Sequence, residues 1–236
     1  MLRFTVIAII SLFSSLAYAE EGVVRACIDD HPPYQVLADE PYGSHIDALK
    51  VMANVLSKKL YYVRSPNFAR CIALLNNGEV DVIAGLGKTP EREKFAFYTP
   101  FKAADALKVI SKNSITINKY EDFTGKIIGV SRGTMYFSRF DNDKSLNKIS
   151  IQNARVGLSL LLKNRIDLMM TSPVLLESLS TEISNANLKI SPIELDELRD
   201  KETSFGFSKN HQLNMSNKEI IEKIRTAYLN GQFQPE

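Results

Sequence analysis

The sequence predicts an α/β fold in two lobes, and three observations carry that expectation. Short apolar strands alternate with amphipathic helices at spacings suited to parallel pairing. A phrase made of a helix end, a polar turn, an aspartate and an apolar strand occurs twice, as "ALLNNGEVDVIAG" (73–85) and "LLLKNRIDLMMTS" (160–172). An extended apolar stretch, "ADALKVISK" (104–112), leads out of the first half, and a Pro-broken one, "KISPIELDE" (189–197), leads out of the second. The second lobe is therefore expected as an insertion, with lobe 1 at residues 20–108 and 194–236 and lobe 2 at 109–193. Two hinge crossings of that kind let the lobes close on a cleft.

Each element has a local reason. "VVRACI" (23–28) reads as a strand and "DDHPPY" (29–34) as a turn. In "GSHIDALKVMANVLSKKL" (43–60), Ser44 and Asp47 have the spacing of a helix cap, and Ile46, Leu49, Ala53, Leu56 and Leu60 recur at helical spacing. "YYVRS" (61–65) is a second strand. Ser65-Pro66 opens a helix that carries Phe68, Cys71, Leu74 and Leu75 and stops at Gly78, and "VDVIAGL" (80–86) is a buried strand. "YEDFTGKIIGVSRGT" (120–134) gives a short helix, a stop at Gly125, a strand and a Gly turn. "TSFGFSK" (203–209) and "NKEIIEKIRTAYLNG" (217–231) close the chain as a strand and an amphipathic helix.

The N-terminus is a targeting signal by its pattern: Arg3, an apolar run of 13 residues from Phe4 to Leu16, and the small-x-small site Ala17-Tyr18-Ala19. Residues 1–19 are thus expected to be a cleaved secretory signal peptide, leaving the remaining 217 residues to be exported. Without Arg3 the formal net charge falls from +2 to +1, and no dense basic run follows, so nucleic acid is not expected as a partner. In an oxidising compartment Cys27 and Cys71 are expected to be bridged, closing a loop of about 45 residues and stabilising by roughly 2–4 kcal/mol. Two separate buried thiols are the competing reading. Two Cys and three scattered His make no metal-ligand spacing, so neither a metal nor another cofactor is expected.

Arg92 stands out. Thr89-Pro90-Glu91 has the form of a helix start, and a cation in a first helical turn is mildly disfavoured by the helix dipole. Flanking by Glu91 and Glu93 in water is one explanation; an anion shared with the free N–H groups of the helix start is the other.

The motifs resemble the bacterial extracellular solute-binding proteins of family 3, typified by periplasmic receptors for polar amino acids. The likeness rests on "DDHPPY", "GSHIDALK", "GEVDVIAGLGKTPERE" followed by "FYTPF", "EDFTGKIIGVSRGT" and "RIDLMMTS". It implies the two-lobed periplasmic-binding-protein fold of type II, with a ligand cleft between the lobes. It also implies that Arg92 binds a ligand carboxylate, that Gly85 and Gly87 line the loop before it, and that Gly133-Thr134 starts a helix whose N–H groups meet the same carboxylate. His31 and Phe68 would sandwich the ligand. Asp30, next to His31, and Arg132, which precedes Gly133, join the candidate set.

Three residues depart from the family pattern. Ser172 stands where amino-acid binders place an Asp for the ammonium, Gly87 where a hydroxyl is usual, and His31 where Tyr, Trp or Phe is usual. Together they imply a small carboxylate-bearing ligand with less need of an amine. The resemblance itself implies a periplasmic monomer that serves an inner-membrane permease or a sensor. Two alternatives stay open: a dehydratase-like enzyme on the same fold, with Asp30, His31 or Glu177 as acid or base, and a ligand-free interaction module.

Overall fold

The computed structural model describes residues 22–192 and 202–234. The expected signal peptide and the lobe boundary at 193/194, with the return crossing, lie outside the described residues. In chain order the elements are β1 (Val23–Ile28), α1 (Ser44–Val55), β2 (Lys59–Arg64), α2 (Phe68–Asn76), β3 (Val82–Ala84), the single turn α3 (Pro90–Glu93) and β4 (Ala96–Ala103). Then follow β5 (Lys108–Lys112), β6 (Ile127–Ser131), α4 (Ser138–Asn142), β7 (Asn147–Ile151), α5 (Ala154–Leu162), β8 (Leu168–Thr171), α6 (Pro173–Ser178), α7 (Ser180–Ser184), β9 (Leu188–Pro192), β10 (Glu202–Ser208) and α8 (Asn217–Leu229). A 3-10 turn at Tyr120–Phe123 precedes β6.

The strands form two five-stranded sheets, ordered β2-β1-β3-β10-β4 and β7-β6-β8-β5-β9. Each has a parallel trio, β2-β1-β3 or β7-β6-β8, extended by two antiparallel strands. The repeated phrase of the sequence supplies the third strand of both sheets, β3 and β8. Its aspartates do the same work in each lobe. Asp81 accepts the Arg25 backbone N–H at 2.8 Å and pairs with the Arg25 guanidinium at 2.7 Å; Asp167 accepts the Ile127 N–H at 2.8 Å and pairs with Lys112 at 2.7 Å. Each carboxylate thus pins its strand to the parallel neighbour at the end where that neighbour begins.

Alternation along β1 divides the core of the first lobe. Val24, Ala26 and Ile28 join α1 and α8 on one face, while Cys27 points to the other face, against α2. There Cys27 is bonded to Cys71, with Cα atoms 5.5 Å apart. The second sheet likewise has a core on each face, one rich in Phe and one built around α5.

Three local expectations are corrected. Ser44 is the first residue of α1 rather than its cap; Gly43, at φ 117, holds the cap position without a side-chain hydrogen bond, and Asp47 pairs with Lys50 instead. The apolar spacing runs on to Leu60, yet α1 ends at Val55, because Ser57 turns the chain at φ 54 and Leu60 enters β2 opposite Val24. α2 is capped by Asn67, whose side chain accepts from the Arg70 N–H, not by Ser65.

Candidate functional site

Open α/β sheets place ligands beyond the carboxyl ends of their parallel strands, and the candidate residues cluster there. Asp29 follows β1, Gly85 follows β3, the Arg132-Gly133 turn follows β6, and Ser172 follows β8. Asp29 lies on the Cys27 face of β1, two residues on, and so meets α2 where Phe68 begins it.

Two adjoining cavities open between the sheets. The smaller, about 120 Å³, is walled by His31, Phe68, Gly85 and Gly87 from the first lobe and by Thr134 and Met135 from the second; Asp29, Gln35 and His45 complete it. The larger, about 250 Å³, shares His31 and Thr134 and reaches Tyr34, Asp105, Thr171 and Ser172. Six of the expected residues, His31, Phe68, Gly85, Gly87, Thr134 and Ser172, therefore come together. Asp30 and Arg132 are exposed and line neither cavity, and Arg132 faces a neighbouring groove with Lys148. Glu177 is exposed on α6 and lines neither cavity. Among the described residues no group of three or more His, Cys, Asp or Glu is placed to hold a metal ion.

Arg92 stands behind Gly87 and bridges the lobes. Thr89 Oγ1 accepts the Arg92 N–H at 3.1 Å and fixes the single turn α3. The guanidinium then donates through Nη1 to the Gly87 carbonyl at 2.9 Å and through Nη2 to the Gly133 carbonyl at 2.6 Å. A guanidinium has five N–H donors, so three remain, and no carboxylate pairs with this one among the described residues. Burial pulls its pKa below the usual value, against the fields of Tyr98, Asp141 and Glu91.

Gly133-Thr134 does not start a helix, contrary to expectation. The Tyr136 hydroxyl accepts the Ser131 N–H at 3.1 Å, the Tyr136 N–H is held by Asp141, and α4 begins only at Ser138. What the second lobe offers at this point is the Gly133 carbonyl. The turn needs its glycine: φ is +82, and a Cβ would lie 3.2 Å from the Ala69 backbone nitrogen at the start of α2.

Ser172 is committed twice. Its Oγ accepts the Leu175 N–H at 3.2 Å to cap α6, and it hydrogen-bonds the Tyr34 hydroxyl across the cleft. Asp105 can only accept, so Tyr34 donates to it, at 2.6 Å, and receives the Ser172 proton. Lys102 pairs with Asp105 at 2.8 Å.

Asp29, Tyr34, Gln35, His45 and Asp105 belong to the site by position, and none was singled out from sequence as a ligand contact. The one available signal was at Asp29, the first residue past an apolar strand that reads as parallel.

Two α/β lobes with a cleft between them, beyond the ends of their parallel strands, make the two-lobed periplasmic-binding-protein fold of type II. Residues 24–230 match the bacterial extracellular solute-binding proteins, family 3, and the chain belongs to that family. No curated protein matches it. Similar solved structures include an ancestral arginine-binding protein bound to arginine, 23% identical, with 90% of this chain and 93% of that chain covered and a TM-score of 0.71. The arginine-bound truncated ArgBP of T. maritima is 19% identical, covering 89% and 96% with a TM-score of 0.69. The amino acid ABC transporter substrate-binding protein AbpA of Streptococcus pneumoniae, bound to L-arginine, is 20% identical, covering 90% and 89% with a TM-score of 0.71. At these identities the likeness establishes the fold.

Proposed function

We propose that this chain is a periplasmic substrate-binding protein that captures a small carboxylate-bearing solute between its lobes by hinge closure and passes it, unaltered, to an ABC-type permease or a sensor. In this reading lobe 1 comprises residues 20–108 and 194–236, lobe 2 comprises 109–193, and the protein acts as a monomer. The observation that carries it is Arg92: a half-buried guanidinium held between the lobes, with two of its five N–H donors used and no carboxylate paired with it among the described residues. A desolvated guanidinium in that state favours an anion that it can bind in bidentate fashion. Gly87, where a hydroxyl is usual in the family, fits the same packing, since a Cβ there would come within 3.1 Å of Met135 Cβ.

The test is a thermal-shift screen of the protein recovered from the periplasm, against amino acids, hydroxy and keto acids, aromatic acids and amines, with Arg92→Ala in parallel. A ligand at a hundred times its dissociation constant stabilises by about 2.7 kcal/mol. A carboxylate should raise the wild-type midpoint and leave that of Arg92→Ala unmoved. An equal shift in the variant would remove Arg92 from the site.

A further inference from the structure

Tyr34 joins three parts of the molecule at one oxygen. Its hydroxyl donates to Asp105 at 2.6 Å and receives the Ser172 proton. Tyr34 belongs to the first lobe and Ser172 to the second. Asp105 lies in the stretch 104–107, which runs from β4 to β5 and carries the chain out of the first lobe. That stretch walls the larger cavity together with Tyr34 and Ser172, so their contact spans the hinge side of the cleft. The bridge from Arg92 to the Gly133 carbonyl is separate, for neither residue lines that cavity.

Both partners are held before they meet. The Tyr34 carbonyl accepts the His45 N–H at 3.0 Å, at the start of α1. Its ring packs against His31, with centroids 5.5 Å apart, and His45, at 4.7 Å, and the Lys102 ammonium lies 5.0 Å from its centre. Tyr34 is 7% exposed. On the other side, Ser172 Oγ is fixed by the Leu175 N–H that it accepts as the cap of α6. Groups already ordered lose little conformational entropy on pairing, so more of the bond's strength survives. Lys102 pairs with Asp105 at 2.8 Å and steadies the carboxylate that takes the Tyr34 proton. A hydroxyl that donates to a carboxylate becomes in turn a better acceptor, here for Ser172. Burial, then the Asp105 hydrogen bond, push the Tyr34 pKa up, so the hydroxyl keeps the proton it donates.

We propose that Tyr34, Ser172 and Asp105 form a latch, anchored at the hinge, that holds the lobes closed through the protein's own contacts. Closure then does not wait for a solute. Tyr34, Lys102 and Asp105 stay together on the first-lobe side of the crossing, so within this network opening breaks only the bond to Ser172. By raising the closed fraction, the latch lowers the conformational cost met by any ligand that binds the closed form. It acts whatever that ligand is and does not rest on a carboxylate at Arg92.

The experiment is small-angle X-ray scattering on protein recovered from the periplasm and freed of small molecules by dialysis in mild denaturant. Wild type should show the radius of gyration of the closed structure. Tyr34→Phe keeps the ring and its packing; it should enlarge the radius and lower the closed-to-open ratio at least about fivefold, as expected for one hydrogen bond. Ser172→Ala should open the lobes to the same extent, and the double variant no further, since both changes remove the same bond. Asp105→Asn, which keeps an acceptor but not its charge, should open them part-way. An open wild type, a Tyr34→Phe variant with the wild-type radius, a double variant that opens by the sum of the two, or Asp105→Asn as closed as wild type would overturn the latch. Far-UV circular dichroism and a cooperative thermal transition show that each variant is folded. If Ser172→Ala loses its fold with its cap, Tyr34→Phe decides.

Discussion

Asp29 carries a stability cost that its neighbours explain. Burial, then the charge of Asp30, push its pKa up to about 6, against backbone hydrogen bonding from Asp29 itself and Phe68. The unfolded value is near 3.9, so the folded state binds this proton more tightly and the carboxylate destabilises the fold wherever it is charged. The cost is absent below about pH 4, grows as pH rises to about 6, and is complete above that, on the order of 1–3 kcal/mol. Asp29→Asn should therefore raise stability at pH 7 by about that amount in urea unfolding, and the gain should vanish by pH 4. A variant no more stable than wild type at pH 7 would contradict the buried, unpaired state. Around it His45 stays neutral, because burial, with Lys102 and His31 adding to it, holds its pKa well below the usual value. The residue scale is also where sequence reading was weakest. Asp30 and Asp29 are adjacent carboxylates in "IDDH", and only the pleat of β1 decides which one enters the cleft.

At the scale of elements, the strands legible in the sequence were mostly the central ones, with the edge strand β2 the exception. β1, β3, β6, β8 and β10 are buried runs of Val, Ile, Phe and Met bounded by turns. The strands not read as such, β4, β7 and β9, are sheet edges. β4 and β9 contain proline, which ladders tolerate at an edge, and β7, "NKISI", is mostly polar because one side has no neighbour. The repeated aspartate was legible as a pattern but not as a clamp, since its partners lie 56 and 40 residues away. Burial pushes the Asp81 pKa up, but hydrogen bonds from the Arg25 side chain and from the Arg25 and Gln212 backbones outweigh it and hold the carboxyl below its usual range. The stability this clamp contributes is thus present above about pH 4 and is lost as pH falls through the depressed value. Asp81→Ala should cost about 1–3 kcal/mol at neutral pH, by leaving the Arg25 and Gln212 backbone N–H groups and a partly buried guanidinium without their acceptor. Asp167→Ala, at a more exposed pair, should cost less. Equal losses in urea unfolding would contradict the difference in burial.

For the whole molecule, the division into two sheets with an inserted second lobe follows from features that a sequence displays: a repeat, and an extended exit from the first lobe. The way the lobes meet does not. Arg92 with Gly133 and Tyr34 with Ser172 join residues 41 and 138 apart, with no local pattern to announce them. Those two polar contacts cross the cleft in this structure, and under the proposed function a ligand bound to both lobes would add its own differential affinity for a closed state. The central claim is that Arg92 anchors this ligand, and the most direct measurement is a calorimetric titration of the best ligand from the screen into wild type, Arg92→Lys and Arg92→Ala. The account predicts losses of at least about 30-fold for Ala and an intermediate loss for Lys, which keeps the charge but not the fork, with thermal midpoints unchanged. Affinity within twofold of wild type in Arg92→Ala would contradict it.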